Sequence, residues 1–201
     1  MSLGKVIAGV AAAVVAGQGA YAVAKGKSSL LRPPGSQGEA DFMARCTKCG
    51  KCIEACPYQA LAAAGIAEGA AAGTPCIDPR HQACRMCEDF PCVSACPTQA
   101  LRNVESRADV KMGYAVISDS ICIAYQGLRC EVCYRVCPLI DQAITIEFGN
   151  RENDSIHALF QPTINRDVCT GCGLCVERCV IEDPRVPIRI VSIAEQEAAK
   201  Q

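Results

Sequence analysis

Cysteine is the residue type in this sequence with the most capacity for chemistry, because it accounts for 17 of 201 residues. Most of the cysteines form four groups of four: two groups have the spacing C-x2-C-x2-C-x3-C, and two have one longer gap. Such density in a short chain commonly serves disulfides, zinc sites or iron–sulfur clusters. We number the groups motif 1 to motif 4, and their members are Cys46, Cys49, Cys52 and Cys56; Cys84, Cys87, Cys92 and Cys96; Cys122, Cys130, Cys133 and Cys137; and Cys169, Cys172, Cys175 and Cys179.

The spacing within the motifs is typical of ligands to [4Fe–4S] clusters. Three thiolates at positions i, i+3 and i+6 of a loop can wrap one face of a four-iron cube, and backbone N–H groups then turn towards the sulfurs. The fourth cysteine of the motif binds the other cluster of a pair. A given four-cysteine spacing would arise by chance roughly 0.01 times in such a chain, yet the strict spacing occurs twice. The sequence therefore predicts four [4Fe–4S] clusters, with every motif cysteine an iron ligand.

Disulfides and zinc sites fit the cysteine spacing less well. A disulfide framework would leave one of the 17 cysteines unpaired, and the two members of a C-x2-C pair rarely bridge comfortably. Zinc sites usually combine two separated C-x2-C pairs, often with histidine, whereas His81 and His157 both lie outside the motifs. A zinc-stabilised interaction module remains the alternative from a different class. Cys76 also lies outside the motifs; we expect it to be a small buried residue, and the histidines to be surface or hydrogen-bonding residues.

Charge and composition exclude several function classes. Lys and Arg number 20 against 21 Asp and Glu, so there is no basic excess for binding nucleic acid. Tryptophan is absent and aromatic residues make up 4%, which leaves little apolar volume for a conventional enzyme core. No nucleophile–base pair or phosphate loop accompanies the cysteines. We therefore expect an electron carrier with no substrate site of its own.

Similarity between the motifs predicts how they pair. Motifs 1 and 4 share the strict spacing, as the halves of a small dicluster ferredoxin would, and motifs 2 and 3 lie between them. The expected fold class is α+β, with tandem or nested ferredoxin-like units made of short strands, short helices and many loops. Nested pairing predicts an outer unit of residues 39–80 and 160–201 and an inner unit of residues 81–159. The fourth ligands of the clusters of motifs 1, 2, 3 and 4 would then be Cys179, Cys137, Cys96 and Cys56, and sequential pairing is the alternative.

Short regular elements are expected around the motifs. Runs rich in β-branched and aromatic residues predict strands at Tyr114–Ser118, Ala143–Phe148 and Ile188–Ile193. The stretch Ala60–Gly73 is rich in alanine and predicts a helix that ends at its last glycine. A second short helix is expected after Ser192.

Residues 1–38 differ in composition from the rest of the chain. An apolar stretch, Val6–Ala24, follows the single charge of Lys5 and ends in an A-x-A sequence that resembles a cleavage site. Residues Lys25–Gly38 are predicted to be a linker. This pattern predicts an export signal, with an uncleaved membrane anchor or a loose apolar arm as alternatives. Export of a folded cluster protein normally uses a twin-arginine signal, and no arginine pair precedes the apolar stretch.

From about Arg32 to Ile193 the chain resembles the ferredoxin-type NapG/MauM proteins. The resemblance is carried by LRPPG, CTKCGKCIEACP, CRMCEDFPC, YQGLRCEVCYRVCP and CTGCGLCVERCV. It implies four [4Fe–4S] clusters and a location at the periplasmic face of the cytoplasmic membrane. It also implies a polytopic, quinol-oxidising membrane partner similar to NapH, with which the protein would form a quinol dehydrogenase.

In NapG-type members, electrons pass towards c-type cytochromes and periplasmic nitrate reductase, whereas MauM-type members are linked to methylamine oxidation. The nested pairing also resembles that of the four-cluster subunits of molybdenum oxidoreductases. An iron–sulfur electron-transfer subunit of such an enzyme is therefore the alternative function. Association with the membrane would come from the partner or from the N-terminal segment.

Overall fold

Short helices and two-stranded sheets, joined by long loops, make up the computed structural model, which describes residues 30–151 and 154–200. Four of the helices are only one turn long, and each begins inside a cysteine motif. The predicted α+β, loop-rich fold class is confirmed. The helices are α1 (Glu39–Arg45), α2 (Lys51–Glu54), α3 (Pro91–Ser94), α4 (Val132–Arg135), α5 (Leu174–Glu177) and α6 (Ile193–Ala199). The strands are β1 (Ala62–Ala63), β2 (Pro75–Cys76), β3 (Gly113–Ile117), β4 (Ile144–Arg151), β5 (Asp154–Ile164) and β6 (Ile188–Ser192).

The first unit (residues 30–102) contains motifs 1 and 2. Helices α2 and α3, which come from the two motifs, pack against each other, and β1 pairs antiparallel with β2. The start of the unit is tied to its middle, because the Ile77 N–H donates to the Leu31 carbonyl at 2.8 Å. It is also tied to its end by a 2.9 Å bond from the Arg102 N–H to the Gly35 carbonyl. These bonds close the chain around both motifs before motif 3 begins.

The second unit (residues 112–200) contains motifs 3 and 4. Helices α4 and α5 pack against each other, and β4 and β5 form an antiparallel hairpin. The unit is closed by β3, which precedes motif 3, and β6, which follows motif 4; they pair from Gly113 opposite Ser192 to Ile117 opposite Ile188. Ala115, Val176 and Ile188 form its buried core.

The nested pairing is therefore wrong, and the units follow one another along the chain. Its boundaries at residues 39–80, 81–159 and 160–201 cut through both observed units. The prediction rested on the equal spacing of motifs 1 and 4, but that spacing describes only how a loop wraps around its own site. Which motifs pair depends on chain closure, and closing a short loop between neighbouring motifs costs less entropy than closing a long one.

The predicted strands are confirmed in β3, β4 and β6, and the helix expected after Ser192 is confirmed as α6. The predicted helix Ala60–Gly73 is wrong. The Gly73 N–H donates to the Ala64 carbonyl, and the Ala64 N–H donates to the Thr74 carbonyl, both at 2.8 Å, so the chain folds back on itself. Within the fold-back, a 3-10 segment is interrupted at Gly69, where φ is 57° and ψ is −119°. Pairing across the turn has replaced the helical bonds that alanine favours.

Part of the predicted linker belongs to the core. Residues 31–36 are buried, and the Arg32 side chain is only 4% exposed. Its guanidinium forms an ion pair with Glu39, donates to the Thr74 hydroxyl at 2.8 Å and lies 4.7 Å from the centre of the Phe42 ring. The predicted export or anchor segment lies outside the described residues. Among the helices within residues 30–151 and 154–200, none combines the length and apolar character that a membrane crossing requires.

Candidate iron–sulfur sites

Residues with left-handed backbone conformation turn the chain beside the cysteines. Gly50 (φ 77°), Phe90 (φ 40°) and Gly173 (φ 87°) each precede a one-turn helix in motifs 1, 2 and 4. Glycine adopts this conformation without the steric cost that a side chain imposes. In each of these three motifs, the turn lies between the second and the third cysteine.

In the first unit, the cysteines gather at two places. Cys46, Cys49 and Cys52 of motif 1 line one pocket together with the last cysteine of motif 2; we call this site 1. The other three cysteines of motif 2 gather around Cys56, the last cysteine of motif 1, and we call this site 2. Burial and the nearby Cys56 thiol together raise the pKa of each of these three cysteines. The members of the sites are Cys46, Cys49, Cys52 and Cys96 for site 1, and Cys84, Cys87, Cys92 and Cys56 for site 2.

The second unit repeats this arrangement. One pocket, site 3, is lined by three cysteines of motif 3 and by the last cysteine of motif 4. A neighbouring pocket, site 4, is lined by three cysteines of motif 4 and by the last cysteine of motif 3. The long gap of motif 3 forms a loop that is fastened to β5 by the Tyr125 hydroxyl, which donates to the Pro162 carbonyl at 3.0 Å. The members are Cys122, Cys130, Cys133 and Cys179 for site 3, and Cys169, Cys172, Cys175 and Cys137 for site 4.

The structure thus brings all the predicted site cysteines together, but with different fourth members. Each motif supplies three thiols to its own site and one to the site of its neighbour, as the motif spacing predicts. The nested assignment placed Cys179 with motif 1, Cys137 with motif 2, Cys96 with motif 3 and Cys56 with motif 4. Each of these cysteines instead lies with the other motif of its own unit, which is the sequential alternative.

Comparison with known proteins gives the same division. The 4Fe-4S dicluster domain family matches twice, over residues 45–100 and 122–182, so each match covers the two motifs of one unit. The chain is 47% identical to the ferredoxin-type protein NapG of Escherichia coli over 176 residues, which cover 87% of this chain and 76% of that protein. It is 43% identical to the methylamine utilization ferredoxin-type protein MauM of Methylorubrum extorquens over 159 residues, covering 78% and 71% of the two chains.

The chain belongs to the NapG/MauM family of ferredoxin-type proteins. It is a ferredoxin-type 4Fe–4S electron-transfer protein with two dicluster domains. It is also 30% identical to the ferredoxin-type protein NapF of Escherichia coli over 155 residues, which cover 77% of this chain and 82% of that protein. No solved structure matches the chain.

Burial controls the charge of the thiols in this NapG/MauM-type protein. It raises the pKa of Cys92, Cys133 and Cys172 to about 12, and the pKa of Cys175 lies well above that of an ordinary thiol. A buried thiolate needs a cationic partner, and metal ligation supplies one by displacing the proton. Four converging thiols in an apolar pocket therefore fit a metal group at each site.

The family match distinguishes between the kinds of metal group that four thiols can hold. Four sulfur ligands of a zinc ion all lie about 2.3 Å from one centre. Among residues 30–151 and 154–200, no three cysteine, histidine or carboxylate side chains are grouped in a way that would hold one metal ion. A [4Fe–4S] cluster binds each thiolate at a separate iron, and the family match is to domains of this kind.

Backbone N–H groups point at some of the sulfur atoms. The Ala60 N–H donates to Cys56 Sγ at 3.3 Å, and the Ala115 N–H donates to Cys169 Sγ at 3.4 Å. Although burial acts to raise the pKa of Cys96, hydrogen bonds from nearby backbone N–H groups and the Thr98 hydroxyl lower it below the usual thiol value. Hydrogen bonds to the sulfurs are among the levers that set the reduction potential of iron–sulfur clusters.

Three residues that the motifs left aside do not line the pockets of sites 1, 3 and 4. Cys76 is half-buried at the end of β2, where its Sγ lies 3.5 Å from the Ala62 carbonyl. His81 and His157 are exposed, as predicted. Sequence reasoning missed Arg80 and Glu177, which join the two units. No spacing pattern links these two residues, since they are far apart in the chain.

Proposed function

We propose that this protein carries four [4Fe–4S] clusters, one at each of sites 1 to 4. The observation that supports this most strongly is the convergence of four thiols at each of four places, in two units that match the 4Fe-4S dicluster domain family. When bound, each cluster accepts and releases one electron. The protein supplies the thiolates, excludes water from the buried sulfurs and directs N–H groups at Cys56 and Cys169.

We further propose that the protein works between a membrane and a periplasmic acceptor. The support is its similarity to NapG over 87% of the chain. In this proposal, a quinol-oxidising membrane partner of the NapH type delivers electrons. A c-type cytochrome or periplasmic nitrate reductase receives them.

Metal and sulfide analysis of protein purified without oxygen tests the cofactor proposal. We expect about 16 iron atoms and about 16 sulfide ions per chain, since a [4Fe–4S] cluster has four of each. The Cys→Ser variants of site 2 should each lower the iron content, whereas Cys76→Ser, which leaves every site intact, should not. Two to four zinc ions without sulfide would overturn the proposal.

Ionic strength tests the partner proposal. The chain has a formal charge of −1, and each oxidised cluster with its four thiolates adds about −2, so the loaded protein carries a charge of roughly −9. We expect it to meet a basic surface of the membrane partner, with a rate of reduction by quinol that falls as salt rises from about 0.01 M to about 0.15 M. A rate that does not depend on salt would contradict this electrostatic encounter.

A further inference from the structure

The carboxylate of Glu177 connects the two units. It belongs to α5 in motif 4, and its side chain is only 13% exposed. Its Oε2 accepts the Ala83 N–H at 2.7 Å, and its Oε1 accepts an N–H of the Arg85 guanidinium, also at 2.7 Å. These two donors lie on either side of Cys84, the first cysteine of motif 2. One carboxylate of the second unit therefore holds both sides of a site cysteine in the first unit.

The bond between Cys84 and Cys172 shows which sites meet. The Cys84 N–H donates to the Cys172 carbonyl at 3.0 Å. Cys84 belongs to site 2 and Cys172 belongs to site 4, so a hydrogen bond joins a cysteine of one unit directly to a cysteine of the other. Site 2 is thus the site of the first unit that faces site 4 of the second unit.

Arg80 strengthens the same contact from the other direction. Its guanidinium donates to the carbonyls of Val176, Glu177 and Cys179, at 3.0, 3.2 and 3.1 Å, and to the Glu182 carboxylate at 2.6 Å. The last carbonyls of a short helix lack partners within the helix, and a cation is favoured beside them. Arg80 of the first unit therefore supplies hydrogen-bond donors to the carbonyl groups at the end of α5 in the second unit.

Within each unit the two sites also adjoin. In the first unit, α2, which carries Cys52 of site 1, packs against α3, which carries Cys92 of site 2. In the second unit, Cys133 of site 3 also lines the pocket of site 4. Because site 2 meets site 4 between the units, the four sites follow one another in the order 1, 2, 4, 3.

We propose that Glu177 is a positioning residue that holds site 2 against site 4, so that the four sites form one line with the contact of Cys84 and Cys172 at its centre. This inference rests on the proposed function, because the line matters only if the sites carry electrons. One electron that leaves site 2 enters site 4, or the reverse, and no bond is made or broken. The contact between Cys84 and Cys172 supplies the path for this electron and sets the distance between site 2 and site 4.

The variant Glu177→Ala tests the proposal in the complete, anaerobically purified protein. A matched control is Glu131→Ala, because the Glu131 carboxylate is 14% exposed and pairs with Arg129 and Arg135, all inside motif 3. Arg85→Ala is a milder second variant, since it leaves the bond from the Ala83 N–H to Glu177 in place. It keeps the test possible if Glu177→Ala fails to fold.

Two measurements report on the contact. In the fully reduced protein, magnetic interaction between neighbouring clusters broadens the electron paramagnetic resonance signals. We expect Glu177→Ala to lose the part of this broadening that arises between the units and to keep the part within each unit. We also expect trypsin to cut faster between the units, where Arg102, Arg107 and Lys111 are exposed. Glu131→Ala should match the unmodified protein in both measurements.

The outcomes separate this inference from the proposed function. Unchanged broadening and unchanged trypsin cleavage in Glu177→Ala and Arg85→Ala would overturn the positioning role. Equal changes in Glu131→Ala would also overturn it, because the effect would then come from losing any half-buried carboxylate. A protein without iron or sulfide would overturn the proposed function. The trypsin comparison would still decide whether Glu177 joins the units.

Discussion

The variants Gly173→Ala and Gly50→Ala add one methyl group at equivalent positions of two motifs, where the neighbouring atoms differ. Both glycines follow the second cysteine of a strict motif and precede a one-turn helix, with φ of 87° and 77°. A Cβ atom at Gly173 would lie 2.5 Å from the Cβ of Pro79, which belongs to the other unit. At Gly50 the same atom would have no neighbour within 4 Å. The pair therefore separates backbone strain from crowding between the units.

The size of the difference follows from these contacts. Either alanine costs about 1–2 kcal/mol, because its Cβ is strained in the left-handed conformation. Gly173→Ala adds roughly 1–3 kcal/mol for overpacking, since the proline ring is rigid and the Ala83 Cβ lies 3.6 Å away on the same side. For a chain of this length, 1 kcal/mol lowers the unfolding midpoint by about 2–4 °C. We therefore expect Gly173→Ala to unfold roughly 2–12 °C below Gly50→Ala.

The assay is thermal unfolding of anaerobically purified proteins with equal iron content, followed by circular dichroism at one scan rate. A fixed rate is needed because loss of a cofactor makes unfolding irreversible, and the midpoint then depends on the scan rate. Equal midpoints for the two variants would refute the reasoning, since they would mean that Pro79 does not pack against Gly173.

Three further predictions concern ligation, the buried arginine and the cofactor. Cys179→Ser should perturb the same paramagnetic signal as Cys130→Ser, because both cysteines line site 3; a change in the signal that Cys46→Ser perturbs would contradict the pairing. Arg32→Ala should cost about 2–4 kcal/mol in thermal stability, because it leaves a partly buried carboxylate unpaired, whereas the exposed control Arg45→Ala should cost about 0–1 kcal/mol. A smaller loss for Arg32 than for Arg45 would show that residues 31–36 do not support the core. Removal of iron by a chelator should remove the far-ultraviolet helical signal of residues 30–200, because their helices are only four to seven residues long and are not stable alone; an unchanged spectrum would contradict this.

Patterns within short stretches of the sequence correctly predicted the structure of those stretches. The cysteine spacing predicted which thiols a loop brings together, and three from each motif do converge. The β-rich runs at Tyr114–Ser118 and Ile188–Ile193 predicted strands that the structure contains as β3 and β6. Neither pattern carries information about its partner. The pairing of these two strands closes the second unit, and missing that pairing made the nested assignment wrong.

Contacts between residues that are far apart in the sequence could not be predicted from these patterns. No motif in the sequence marks Arg80 or Glu177. Only the folded chain shows that each of these residues forms hydrogen bonds with the other unit. Arg32 was assigned to a linker because prolines and glycine follow it, yet its guanidinium is buried against Phe42 and Glu39. Backbone fold-back likewise overrode the helical preference of the alanines in Ala60–Gly73.

The separate closure of the two units has a consequence for the protein during its synthesis. The bond between Arg102 and Gly35 completes the first unit before any residue of motif 3 has been added to the chain. The second unit cannot close until β6 has been synthesised, because β3 pairs with β6 from Gly113 opposite Ser192. A chain interrupted after the first unit therefore already contains the complete ligand sets of sites 1 and 2, whereas a chain must reach Ser192 before the second unit can close.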